Sequence, residues 1–154
     1  MIRAAPLLLF LAGACAPVAH DPALPPLAQD QVEPGPALLE HALLTFFAGP
    51  GAAADPPTVC VDLSPGGLPA EAEKALMARF PRLAPRSRCE QPPGWIDRLT
   101  GERAVLLQAY GLECADTVIC TGWTNAPGSP ATRWIMRWHD GRWTFAGDHR
   151  LIAQ

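Results

Sequence analysis

The sequence predicts an α+β fold: two N-terminal helices packed on a curved antiparallel sheet that ends in a β-hairpin. Three observations predict it. Residues 37–47 repeat apolar side chains at 38, 39, 42, 43 and 46, the spacing of one helix face. A second helical stretch at 68–80 is opened by Pro69 and stopped by Pro81. From Arg103 onward, runs of β-branched and aromatic residues alternate with turn clusters and close on Asp140-Gly141, a strong two-residue turn signal.

Each element has its own local reason. Pro36 suits the first turn of the first helix, and Gly49-Pro50 suits its stop. His41 lies on this helix beside Glu40 and can be a ligand or a base; the plainer expectation is a residue of the solvated polar face. Thr58–Leu63 alternates and is rich in β-branched residues, so it reads as a strand, and Pro65-Gly66-Gly67 follows as a turn. Glu71 and Glu73 fall in the early turns of the second helix, where its dipole favours negative charge.

Residues 81–94 read as irregular. Arg82, Arg86 and Arg88 lie there, with Arg79 just before. Such a cluster can grip phosphate or carboxylate. With no glycine-rich phosphate loop and no interleaved aromatics, the expectation is a solvated loop whose arginine stems cover apolar surface. Trp95 and Ile96 are expected at the edge of the core. The strands that follow are placed at 103–112, 117–123, 132–139 and 142–146, with a turn cluster at 125–130.

The final hairpin can be drawn residue by residue. A two-residue loop at Asp140-Gly141 sets Trp138 opposite Trp143 and Met136 opposite Phe145, with Trp134 on the same face. The other face receives Arg133, Arg137, His139, Arg142 and Thr144, so the register separates aromatic from polar chemistry. Trp134, Met136, Trp138 and Phe145 are therefore the candidate lining of a ligand pocket. The competing expectation makes them the core on which the helices pack.

Composition narrows the function classes. The chain has 154 residues, one domain's worth, and a formal net charge of −3, which gives no electrostatic reason to expect a nucleic-acid partner. No Gly-x-Ser-x-Gly, His-Glu-x-x-His or phosphate-cradling motif occurs, so no catalytic residue and no cofactor are assigned. His139-Asp140 and Asp148-His149 set a carboxylate next to an imidazole, but neighbours on a strand point to opposite faces. The cysteines lack the Cys-x2–4-Cys spacing of a zinc site, so no metal ligand is assigned.

The N-terminus carries an address. Arg3 precedes a short apolar run, and the 11 residues from Ala4 to Ala14 are too few to span a bilayer, which needs ~20. Residues 1–14 read as a signal peptide. Gly13-Ala14-Cys15 resembles the lipobox of bacterial lipoproteins, in which the cysteine receives diacylglycerol and becomes the new N-terminus. Ala12 departs from the usual leucine of that motif, and Ala12-Gly13-Ala14 also satisfies ordinary signal peptidase. A soluble periplasmic protein is thus the alternative product. The resemblance implies a palmitate-bearing Cys15, a lipid bilayer as partner and, with Ala16 after the cysteine, the outer membrane facing the periplasm.

Cysteine arithmetic bears on the same choice. Of five cysteines, Cys15 is the odd one, and Cys60, Cys89, Cys114 and Cys120 allow three pairings. We favour Cys60–Cys89, which pins the 81–94 segment to the first strand, and Cys114–Cys120, close in sequence. A strict two-residue turn would place Cys114 and Cys120 on opposite faces, so this second pairing requires a longer loop or a bulge. Six prolines between 17 and 36 make the stretch 15–35 a lipidated cysteine followed by an extended tether, and the α+β domain runs from 36 to 154.

The ending Arg137-Trp-His-Asp-Gly-Arg-Trp-Thr-Phe145 resembles the closing hairpin of the nuclear-transport-factor-like superfamily of cone-shaped α+β folds. That superfamily includes enzymes and non-enzymes, so the resemblance implies a fold and not a reaction. Two readings follow. One is a non-enzymatic envelope module that binds a partner protein or helps an assembly. The other is a small-molecule or catalytic pocket inside the cone.

Overall fold

The computed structural model describes residues 33–48, 57–91 and 94–148. The leader, Cys15, nearly all of the tether, the Gly49-Pro50 stop and His149 lie outside the described residues. Helix α1 (Pro34–Ala48) starts about one turn before the apolar repeat. Pro34 and Pro36 sit in its first turn, where N–H groups have no intrahelical acceptor to lose. Leu38, Leu39 and Leu43 are fully buried.

Strand β1 (Thr58–Ser64) is followed by helix α2 (Ala70–Arg79) and then by the three-residue strand β2 (Leu83–Pro85). Phe80 ends α2 in an extended conformation, as expected of a residue before proline, while its N–H still donates to the carbonyl of Leu76. Leu76 is the buried contact of this short helix. A turn of 3-10 helix (Arg86–Arg88) leads into β3 (Cys89–Glu90), which pairs antiparallel with β4 (Ile96–Asp97) as a separate two-stranded ribbon. The meander follows: β5 (Ala104–Cys114), β6 (Ile119–Asn125), β7 (Thr132–His139) and β8 (Arg142–Asp148).

The main sheet has six strands in the order β2-β1-β5-β6-β7-β8. From β5 to β8 it is antiparallel, as the sequence predicts. It is not antiparallel throughout, because β1 runs parallel to both β2 and β5. The reason is connectivity. Helix α2 and the ribbon are crossovers that return the chain to the starting end of β1, and a crossover makes its strands parallel. Strand β2 was not expected; three residues ending in proline carry no periodic signal.

The sheet buries both faces near β1. On the helix side Val59, Val61, Leu63, Leu107, Ala109, Cys120, Met136 and Trp143 pack with α1 and α2. On the other side Cys60, Ala84, Cys89 and Ala104 form a smaller cluster under Trp95 and Leu106. Gly122 on β6 is a close-approach glycine: a Cβ there would come within 2.6 Å of Leu38 Cδ2 and 3.3 Å of Leu112 Cδ1. The missing side chain lets α1 lie against the sheet at that point.

Both disulfides join the favoured pairs. Cys60 and Cys89 are bridged over a separation of 29 residues, and Cys114 and Cys120 over 6. The second bridge meets its geometric requirement twice. The register of β5 on β6 shifts between Tyr110 and Glu113, where Gly111 adopts φ +60°, and four residues separate Cys114 from the start of β6. The bulge reverses the alternation of β5, so Cys114 reaches the face of Cys120 and becomes its direct partner.

Candidate functional site

The last hairpin has the drawn register. Asp140 at φ 50° and Gly141 at φ 74° form the two-residue turn, Trp138 faces Trp143, and Met136 faces Phe145. Met136 is fully buried and Trp143 nearly so, while Trp134, Trp138 and Phe145 are partly buried against the same core. The indole N–H of Trp134 donates to Thr124 Oγ1 at 2.8 Å, and Trp138 meets Trp143 edge to face at 5.3 Å. These contacts fix the rings in one arrangement.

Helix α1 lays His41 onto this aromatic face. Its ring stacks on Phe145 at 4.1 Å with an interplanar angle of 3°, and meets Trp134 edge-on at 4.5 Å and 87°. The expectation of a solvated His41 is therefore overturned. Glu40 is buried and ion-paired with Arg79 of α2. The physical cause is the breadth of the buried surface on α1, which takes in Gly35 to Glu40 as well as Ala42 and Leu43. A signal was present: among the 15 residues of α1, only Glu40 and His41 carry an ionisable side chain, too few to form a polar face.

Burial lowers the His41 imidazole from 6.5 to about 4, so the ring is neutral at pH 7. Its Nε2 is buried and has no hydrogen-bond partner among the described residues. Glu40 is adjacent in sequence, but one residue is about 100° around a helix, and its carboxylate is turned to Arg79. The arrangement offers a neutral imidazole among aromatic rings, and among the described residues no carboxylate is paired with it as a proton relay.

The arginines of 79–88 are shared among separate tasks and form no anion cradle. Arg79 holds Glu40. Arg86 lies over the Trp95 ring at 4.5 Å and donates to the Cys89 carbonyl at 2.9 Å. Arg88 grips buried Asp97 with both ends of its fork, Nε donating to Oδ1 at 2.6 Å and Nη2 to Oδ2. Asp97 also accepts from Leu99 N–H at 3.0 Å and from the Thr100 hydroxyl at 3.1 Å. Led by the Arg88 bonds, these donors hold the carboxyl at about 2 despite burial. Arg82 is exposed at the turn after α2.

His139 and Asp140 do approach, with Nε2 to Oδ2 at 3.1 Å, because Asp140 occupies the turn rather than the strand. Both are about four-fifths exposed, so water screens the pair. Among the described residues no group of three or more His, Cys, Asp or Glu side chains is placed to hold a metal ion, and no helix is long and apolar enough to cross a membrane. No protein-family model matches the chain, and neither a curated protein nor a solved structure is significantly similar to it.

Proposed function

We propose that this chain is an exported bacterial envelope lipoprotein whose domain is a non-enzymatic binding or assembly module, held off the membrane by the proline-rich tether. One observation carries the reading: the four domain cysteines bridge each other, leaving Cys15 as the odd one at the lipobox-like site. Two disulfides also suit an oxidising compartment. The aromatic face of the hairpin is occupied by His41 and α1, which favours a packed core over an open catalytic cleft.

The test is the intact mass of the protein exported with its own leader, with and without reduction and alkylation. A chain beginning at Cys15 with added acyl mass, and four cysteines that alkylate only after reduction, is the expected result. An unacylated mature chain would replace the lipoprotein with a soluble periplasmic protein.

A second reading has its own support. Among the described residues His41 Nε2 is buried and unpartnered beside Trp134 and Phe145, as a polar pole of a small-molecule pocket in a cone-shaped α+β fold would be. In that reading ligand atoms donate to His41. A screen for small molecules that quench tryptophan fluorescence in the parent but not in His41→Phe tests it; equal quenching in both rejects it.

A further inference from the structure

The face of the sheet away from the helices is covered at its β2–β1 end by the small cluster under Trp95 and Leu106. Farther along the same face, Tyr110 on β5 and Trp123 on β6 are direct cross-strand partners. Both rings are half-buried, yet they belong neither to the helix-side core nor to the smaller cluster. A Cβ on Gly111 would come within 3.2 Å of Trp123 Cδ1, so the bulge glycine also leaves the room that the indole takes beside the strand. A polar ladder runs next to this aromatic one, two residues or roughly 7 Å away along the strands. Asp62 of β1 lies opposite Gln108 of β5, and Gln108 opposite Asn125 of β6. Gln108 Nε2 donates to Asp62 Oδ2 at 3.0 Å, a bond that orients the pair and uses neither Asp62 Oδ1 nor the Gln108 carbonyl oxygen.

We propose that this face binds a neutral oligosaccharide, its rings on Tyr110 and Trp123 and its hydroxyls on Asp62, Gln108 and Asn125. Two properties of the surface select that ligand. The first is its mixed chemistry. The C–H faces of a pyranose are apolar and electron-poor, which suits the electron-rich faces of aromatic rings. Its hydroxyls at the ring edge both donate and accept, as the amides and carboxylate of the polar ladder require. The second is charge. The two ladders carry one carboxylate, Asp62, and one guanidinium, Arg133 opposite Trp123 on β7, so they present no net charge, in a chain of formal charge −3. A polyanion gains no attraction from such a surface. An apolar protein patch laid on it would strip water from Asp62 without returning the lost hydrogen bonds. A neutral, hydroxyl-rich chain meets both ladders at once.

This inference rests on the binding-module reading of the proposed function and names its ligand; the mass test of the lipid comes out the same whether or not sugar binds. The experiment is isothermal titration calorimetry of the mature full chain, in a detergent without a sugar headgroup. The probes are chitohexaose, cellohexaose and maltohexaose, with dextran sulfate as the charged control and sedimentation equilibrium alongside. At least one neutral hexaose should bind saturably. Trp123→Ala should weaken that binding about tenfold, Trp123→Phe less because a ring remains, and Gln108→Ala a few-fold. Leu99→Ser, at an exposed position of a distant turn, should bind as the parent does. Circular dichroism and thiol counting check that each variant folds, and Gln108→Ala carries the test if Trp123→Ala does not. Absence of saturable binding to all three hexaoses at millimolar concentration overturns the proposal. So does binding to dextran sulfate alone, which would make the partner a polyanion. Binding lost in His41→Phe but kept in Trp123→Ala would move the ligand to the hairpin pocket and overturns it too. A doubled mass abolished by Trp123→Ala would assign the face to a second copy instead.

Discussion

The two sides of the sheet hold their strands by different means. Between β5 and β8 each strand follows its neighbour through a short turn, and local residues set the pairing: Asp140-Gly141 for the last hairpin, the Gly111 bulge and the Cys114–Cys120 bridge for the first. Between β2, β1 and β5 the strands are parallel and joined by crossovers. There the chain uses two long-range ties, the Cys60–Cys89 bridge and the Glu40–Arg79 pair between helices, and within the ribbon the shorter-range grip of Arg88 on Asp97. Where turns specify neighbours, the added tie is short, the six-residue Cys114–Cys120 bridge. Where they do not, covalent and ionic cross-links of longer reach take over.

The sharpest way to break that contrast is to remove a tie from the parallel side. Asp97→Ala leaves Arg88 without its acceptor and frees Leu99 N–H and Thr100. Removing one partner of a buried ion pair costs about 3–5 kcal/mol, which chemical denaturation of the oxidised protein will measure. A cost below about 1 kcal/mol would mean the pair is effectively solvated.

The two bridges give the next comparison. Replacing Cys60 and Cys89 by alanine opens the longer loop and should lower stability by roughly 3–4 kcal/mol, against about 2 for Cys114 and Cys120. Cys60 and Cys89 are both buried, whereas Cys114 is exposed beside buried Cys120. Mild reductant should therefore open the shorter bridge first, read by differential alkylation and mass spectrometry. The reverse order would show that the parallel side opens more readily than its ties imply.

These differences also govern what the sequence reveals. The hairpin pairings of Trp138 with Trp143 and of Met136 with Phe145 follow from two turn residues and a period of two, so they were legible. The second bridge was legible together with its price, a bulge or a longer loop. Strand β2 was not, since its partner is chosen by a helix crossing between them. The burial of Glu40 and His41 was hidden for a related reason: each is enclosed by an element distant in sequence, α2 and the final hairpin. The scarcity of charge on α1 was the one local clue.

A smaller effect is expected at the contact of helix and meander. Gly122→Ala drives a Cβ into Leu38 and should cost about 1–3 kcal/mol, the usual range for overpacking. Truncating the obstacle in the double variant Gly122→Ala/Leu38→Val should recover part of that loss. If the two substitutions simply add, the cost lies in the strand and not in the approach of α1.

Acid titration separates the two sides with the smallest perturbation. His41 is neutral when folded, its pKa lowered from 6.5 to about 4, so the unfolded chain binds the extra proton first as pH falls. Its contribution is complete above pH 6.5 and declines as pH falls toward 4. Between pH 7 and pH 6 this one group should cost about 0.7 kcal/mol. Asp97 is lowered from 3.8 to about 2, so its contribution is intact above pH 3.8 and is lost only as pH falls through 2. The hairpin side should thus weaken near pH 6 while the Asp97 side holds. His41→Phe keeps a ring stacked on Phe145 and removes the proton, so its stability should be flat from pH 7 to pH 5 where the parent's falls. A parent curve as flat as the variant's would mean that water reaches Nε2 and that His41 titrates as it does in an unfolded chain.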